Sequence, residues 1–302
     1  MFTPMCDACH MSNSEVIHVD ANGLQFAALA QGPADGPLAL CLHGFPDSAQ
    51  TWRHLLPDLA GAGFRAVAPW MRGYAPTAVP ADASYGTGAL IADITALHEA
   101  LGGDERAVLI GHDWGAIASY GAASFAPARW KRLVTGAVPP VAAIGMKLFS
   151  YEQLKRSFYM FVFQTPLAEM AVGLDDMSFI DGLWRDWSPG YEASVDLAGV
   201  KDALRDPANL TAAIGYYRAM LGTTPPDPGY SAETAVAAAI APQPTLYLHG
   251  DQDGCMAVDV ASDAGAFLAP GSKVEIVPGT GHFMHVEKPT EVNRLILDWV
   301  KG

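Results

Sequence analysis

Apolar and polar positions fall into two regimes along the chain. Val16–Val19, then Asn22 and Gly23, then Leu24–Leu29 read as two short strands about an Asn-Gly turn, whose residues tolerate the positive φ that a tight hairpin needs. After this hairpin, short continuous apolar runs alternate with helical patterns. Strands are predicted at Leu38–Leu42, Ala66–Pro69, Val108–Gly111, Leu133–Ala137, Thr245–His249 and Val274–Val277, and helices at Thr51–Ala62, Gly88–Leu101, Ala116–Ser124 and Glu287–Val300. A strand that is apolar along its whole length is buried on both faces, so the pattern implies an α/β fold with a mostly parallel sheet covered on both sides. Active groups then belong at the carboxyl ends of the strands.

From Pro139 to about Ala241 the strand pattern stops. Aromatics and helix formers replace it, among them Phe149, Tyr151, Phe158, Tyr159, Phe161, Phe163, Trp184, Trp187, Tyr216 and Tyr217, with breaks at Pro166, Pro189, Pro207 and the cluster Pro225, Pro226, Pro228. The expected organisation is a leader at 1–14, a core made of 15–138 and 242–302, and a helical cap at 139–241 lying over the active end of the sheet. There is no internal repeat and no low-complexity linker.

Composition narrows the class. With 302 residues and 50% hydrophobic content the chain can bury a large core, and its net charge of −14 argues against nucleic acid or an anionic membrane as partner. No window approaches the eighteen uninterrupted apolar residues of a membrane span, and the N-terminal stretch lacks the basic and apolar regions of a secretory signal, so a cytoplasmic location is expected. Four scattered cysteines, Cys6, Cys9, Cys41 and Cys255, make no disulfide framework. Cys6, Cys9 and His10 do spell the haem-attachment pattern, but covalent haem attachment needs export, and the stretch reads instead as part of a polar leader.

The chemistry centres on Asp113. In the run Val108 to Ala116 it follows an apolar strand, precedes an alanine-rich helix and is bracketed by Gly111 and Gly115, the sequence form of a nucleophile elbow with a carboxylate in the usual place of serine. A serine that attacked a saturated carbon would give an ether that water does not readily reverse. A carboxylate gives an ester, which water hydrolyses to restore the nucleophile. Aspartate, with an unperturbed pKa of about 3.9, also needs no base to activate it. The competing structural role is a helix cap, which Asp often fills.

Three further groups sit at predicted strand ends. The string His43 to Ser48 offers the backbone N–H of Phe45 beside that of Trp114, a pair of donors for the oxyanion formed when water attacks an Asp113 ester. His282, in a Gly-flanked loop after the last strand, suits the general base that deprotonates that water, whereas His285 reads as structural or solvated. Asp253 follows the penultimate strand and would hold the imidazole tautomer, with Asp251 as its rival.

These strings resemble the α/β-hydrolase superfamily and, within it, the epoxide hydrolases of the soluble, Asp-nucleophile type. The order Asp113, Asp253, His282, with a helical cap before the acid, is similar over nearly all of residues 15–301, and Arg72-Gly73-Tyr74 resembles a further loop whose role is mainly structural. The cap run Ser157 to Gln164 and the trio Tyr216-Tyr217-Arg218 resemble the segments that carry two oxygen-holding tyrosines, at Tyr159 and Tyr217. The resemblance implies hydrolysis of an epoxide to a vicinal diol, with Trp114, Phe45 and Phe163 lining an apolar pocket. The expected partners are a small hydrophobic epoxide and water, with no metal or organic cofactor, and the oligomeric state, a homodimer among the options, stays open. Haloalkane dehalogenases share the Asp elbow but typically carry asparagine after the His-Gly pair, where Phe45 stands here, and fluoroacetate-type dehalogenases carry arginine where this chain has Trp114. A non-catalytic binding protein of the same fold is the remaining alternative, although pure binding has no need of nucleophile, base, acid and both tyrosines.

Overall fold

The computed structural model describes residues 14–302; the Cys6, Cys9, His10 stretch lies outside the described residues. Among the described residues there are eight strands: β1 Glu15–Ala21, β2 Leu24–Gln31, β3 Leu38–Leu42, β4 Arg65–Pro69, β5 Val108–His112, β6 Arg132–Gly136, β7 Thr245–Gly250 and β8 Lys273–Val277. They form one sheet in the order β1-β2-β4-β3-β5-β6-β7-β8. The predicted hairpin is β1 and β2, turned by Asn22 and Gly23 at φ 45° and 72°. β2 pairs antiparallel with β4, and every pairing from β4 to β8 is parallel.

From β3 the chain steps out to β4 and then back past β3 to β5, so its winding direction reverses at the centre of the sheet. Right-handed crossovers then place successive helices on opposite faces and open a crevice at the carboxyl ends of β3 and β5. The interior strands β3, β5 and β7 are buried along their whole length, as continuous apolar runs require. β8, at the edge, exposes several of its residues.

Two helices differ from the sequence reading, both because of proline. The stretch expected as one helix over Thr51–Ala62 is a 3-10 segment, Ala49–His54, followed by the helix Leu55–Gly61. Pro57 lacks an N–H and fits only in the first turn of the α-helix, so the α-helix starts just before it. The expected helix Glu287–Val300 is split into Met284–Glu287 and Pro289–Lys301, with Pro289 at the first helical position. Between β6 and β7 the chain holds helices and no strand among the described residues. Its main helices are Tyr151–Arg156, Phe158–Val162, Ala168–Trp187, Ser194–Leu204, Pro207–Met220 and Ser231–Val236.

Candidate active site

β5 ends at His112, and the chain turns through Asp113 into the helix Trp114–Phe125. Asp113 has φ 53° and ψ −117°, a conformation that costs a side-chain-bearing residue about 1–3 kcal/mol and persists only where its surroundings enforce it. Here the Asp113 N–H donates to the Gly136 carbonyl at 3.1 Å, and the flanking glycines let backbones cross closely. A Cβ on Gly111 would stand 2.3 Å from the Gly115 carbonyl oxygen, and one on Gly115 would stand 2.3 Å from that of Leu42. The Asp113 side chain makes no capping hydrogen bond to the helix it precedes. It reaches instead over the end of β3, where Oδ1 accepts the Phe45 N–H at 2.8 Å. Gly44 makes room for it: a Cβ there would lie 2.2 Å from that oxygen.

The other carboxylate oxygen, Oδ2, lies 3.8 Å from His282 Nε2. His282 follows β8 on a buried loop, and its Nδ1 meets Asp253 Oδ2 at 2.9 Å. Asp253 Oδ1 accepts the N–H groups of Cys255 and Met256 at 2.7 and 2.9 Å, so the acid is held on both oxygens and leaves Nδ1 as the protonated nitrogen of a neutral imidazole. The rival Asp251 has another task, accepting the N–H groups of Gly279 and Thr280 at the root of the same loop. Helix Ala168–Trp187 ties the two loops together, since the Trp187 carbonyl accepts from both Gly254 N–H and His282 N–H.

Burial pushes the Asp113 carboxyl above its usual range, against the opposing pull of the His282 charge and the Phe45 and Trp114 amides. Burial alone would lower His282, but the charge and hydrogen bond of Asp253, joined by the charge of Asp113, hold it above the usual imidazole value. Asp253 stays below its usual range because His282, His249 and the backbone donors outweigh its desolvation.

Opposite the elbow stand side chains from the inserted helices. Tyr159, on Phe158–Val162, and Tyr217, on Pro207–Met220, are both buried, with ring centroids 5.4 Å apart. Phe45 and Phe163 pack on both, and Trp114 packs on Tyr217 at 5.2 Å. Arg218 and Gln164 hold the two segments together, donating to the carbonyls of Phe163 and Tyr217 respectively. The neighbouring Tyr216 faces away from this pair and donates to the Arg72 carbonyl at 2.8 Å. The Tyr159 hydroxyl lies 3.6 Å from the Cys255 sulfur. Among the described residues the Tyr217 hydroxyl and His282 Nε2 are buried without a hydrogen-bond partner; the Trp114 side chain lies near that hydroxyl but makes no bond of normal geometry with it.

Several contributors carried no role in the sequence reading. His112, directly before the nucleophile, contacts the His282 carbonyl through Nε2 at 2.9 Å and so joins the elbow to the base loop. His43 accepts the Met71 N–H, which leaves its other nitrogen to donate to the Gly44 carbonyl and brace the turn that presents Phe45. His285 is buried against Thr51 rather than solvated. Cys255, two residues past the acid, shapes the Tyr159 side of the site. Proximity to a motif was the available signal for His112 and Cys255; nothing in the sequence marked His43 as a brace.

Among the described residues two clusters have metal-binding side-chain types, Asp47 with His112 and His285, and Asp253 with Cys255 and His282. Neither suits a tetrahedral zinc ion. Asp47 Oδ2 and His112 Nδ1 are 3.9 Å apart, wider than the roughly 3.4 Å ligand edge that metal bonds of about 2.1 Å imply, and His285 Nε2 is committed to Thr51. Asp253 and His282 are committed to each other and to the backbone. A cavity of about 700 Å³ borders Trp114, but Phe45 and Phe163 do not line it; they seal the tyrosines instead.

Comparison with known proteins places this geometry in a family. Residues 37–289 match the family model described as the alpha/beta hydrolase fold. The chain is 31% identical to the AB hydrolase superfamily protein YfhM of Bacillus subtilis, over 94% of this chain and 97% of that protein. It is also 31% identical to Epoxide hydrolase 3 of Xenopus tropicalis, over 94% of this chain and 77% of that one. The solved structure of an epoxide hydrolase from an endophytic Streptomyces superposes with a TM-score of 0.80 at 29% identity, covering 96% of each chain. The chain belongs to the α/β-hydrolase superfamily and, within it, to the epoxide hydrolase family.

Proposed function

We propose that this protein hydrolyses an epoxide to a vicinal diol through an ester on Asp113. In the first step an Asp113 oxygen bonds to a ring carbon as the ring C–O bond breaks, and the electron pair moves to the ring oxygen. Tyr159 and Tyr217 meet that oxygen. Burial pushes both phenols well above their ordinary range, so they remain protonated and donate to a developing alkoxide that would otherwise leave poorly. The alkoxide takes up one of those protons. In the second step His282 Nε2 removes a proton from water, and the hydroxide attacks the Asp113 carboxyl carbon. The Phe45 and Trp114 amides receive the tetrahedral oxyanion, a donor pair of a kind in which each member contributes about 2.7–4 kcal/mol. Collapse releases the diol, and the proton on His282 makes good the one given by tyrosine.

The observation that carries this reading is the pair of unpartnered buried groups facing the nucleophile, His282 Nε2 on one side and the Tyr217 hydroxyl on the other. A base with nothing to receive and a donor with nothing to donate to suit water and an epoxide oxygen. Residues 139–241 act in this scheme as the cap that supplies both tyrosines, water is the co-substrate, and no metal or organic cofactor takes part. No helix among the described residues is long and apolar enough to cross a membrane.

One turnover in oxygen-18 water tests the route. Label is expected in the Asp113 carboxylate, with unlabelled oxygen passing to the first diol; label entering the first diol directly overturns it. His282→Ala should accumulate an Asp113 adduct visible by intact mass, and an unchanged mass in the presence of epoxide counts against the scheme.

A further inference from the structure

The reacting groups are sealed. Asp113, Tyr159, Tyr217 and His282 are 5%, 4%, 2% and 0% exposed. The cavity of about 700 Å³ touches none of them, yet it shares one wall with them, the Trp114 indole, which packs on Tyr217. Its size falls within the range of sites that enclose a whole small-molecule ligand. Its body is apolar, formed by Trp114, Ile117, Ile144, Leu148, Met220 and Leu221. Among the described residues its lining also includes Asp82 and Asp227, and no Lys, Arg or His.

The charge there is one-sided. Asp82 is exposed, and Asp227 lies below its usual range through hydrogen bonds from Ser84 and the Gly229 N–H. Arg72 reaches to 3.8 Å from Asp82 Oδ1, but it is wholly buried, does not line the cavity and is taken by both oxygens of Asp93. Three carboxylates therefore face one guanidinium, and an anion entering this cavity would lose its water with no cation to meet it.

Resting on the epoxide-hydrolase reading, we propose that this cavity holds the apolar body of an uncharged epoxide, that the Trp114 indole is the partition it passes to reach Asp113, and that Asp82 and Asp227 reject epoxides ending in a carboxylate. The size and polarity of the cavity set the first element, its shared wall the second and its charge the third.

The probes are methyl 10,11-epoxyundecanoate, the matching free carboxylate, and 1,2-epoxybutane, which is too short to fill the cavity. The methyl ester should exceed the carboxylate in kcat/KM by at least tenfold at low ionic strength. That preference should fall to within about threefold in the Asp82→Asn/Asp227→Asn variant, and should shrink in high salt. Ile117→Trp, which fills the cavity from the helix after the nucleophile, should lower the ratio of ester to epoxybutane turnover at least tenfold. A wild-type enzyme indifferent to the carboxylate, a preference that survives the double substitution, or an unchanged ratio in Ile117→Trp would each overturn the proposal. If the wild type turns over no epoxide, the hydrolase reading fails, and calorimetry decides the cavity alone. Binding of decan-1-ol but not decanoate, weakened at least tenfold by Ile117→Trp, sustains the cavity and its selectivity; equal binding of both, or of neither, overturns them.

Discussion

Tyr217→Phe should raise stability while lowering activity. The substitution keeps the ring and its contacts with Phe45, Trp114, Tyr159 and Phe163, whose centroids lie 5.2–5.4 Å away, and removes only a buried hydroxyl that has no hydrogen-bond partner. An unsatisfied buried polar group costs about 1–3 kcal/mol, so its deletion should stabilise the fold by an amount near the lower end, about 1 kcal/mol. For 302 residues the unfolding entropy is roughly 0.6 kcal/mol/K, which makes that gain a rise of about 1–2 °C in Tm. A urea titration resolves it better. The same deletion removes a donor to the leaving oxygen and should slow formation of the Asp113 adduct by about 10²–10³, measured by rapid-mixing intact mass in a His282→Ala background. Tyr159→Phe sharpens the contrast. Its hydroxyl has the Cys255 sulfur at 3.6 Å, so it should slow adduct formation without the gain in stability. A Tyr217→Phe protein that is less stable by more than about 1 kcal/mol, or one that forms adduct at the wild-type rate, would refute the reasoning.

Two further outcomes follow from charge. Hydrolysis of the ester needs neutral His282, so the adduct's decay rate should rise with pH; esterification removes the Asp113 charge that helps to raise His282, so this limb should lie below the His282 titration of the free protein, while Asp253 still pulls it upward. Asp253→Asn should slow that decay and move the limb down; single-turnover decay against pH reads both. The sign for stability is opposite: a raised folded-state pKa means that the contribution of His282 is full below 6.5 and fades as pH rises through the folded value, which urea titrations across that range would show. Arg72→Ala should destabilise the protein by about 3–5 kcal/mol in urea, because it strips the bidentate partner from Asp93, a buried carboxylate whose remaining side-chain donor is Asn22.

Strands and elbow were legible because each is a local pattern: a continuous apolar run, a turn chemistry, a glycine on either side of Asp113. Tyr217 could be told from Tyr216 only by resemblance, since adjacent residues on a helix point about 100° apart and nothing local says which of them faces the nucleophile. What the residues could not disclose was non-local. His112 meets a carbonyl 170 positions away, and His43 is braced by Met71 across a different loop. The two split helices were readable in principle from Pro57 and Pro289, whose missing N–H groups confine them to a first turn. The large cavity was expected among the aromatics and instead lies beyond Trp114, because those aromatics fill the space between themselves.

Asp113, Asp253 and His282 all stand on loops that leave the sheet, whereas Tyr159 and Tyr217 stand on helices inserted between β6 and β7. In the proposed scheme the two halves of the reaction therefore draw on different hardware: opening the ring needs reacting groups from both parts, while the groups that discharge the ester all stand on the sheet's loops and take from the insert anchors such as the Trp187 carbonyl that pins two of those loops. Evolution, or an engineer, could rebuild the part of the insert that carries the tyrosines and change which electrophile is admitted while inheriting, so long as anchors such as that of Trp187 are kept, the machine for releasing whatever becomes bound to Asp113.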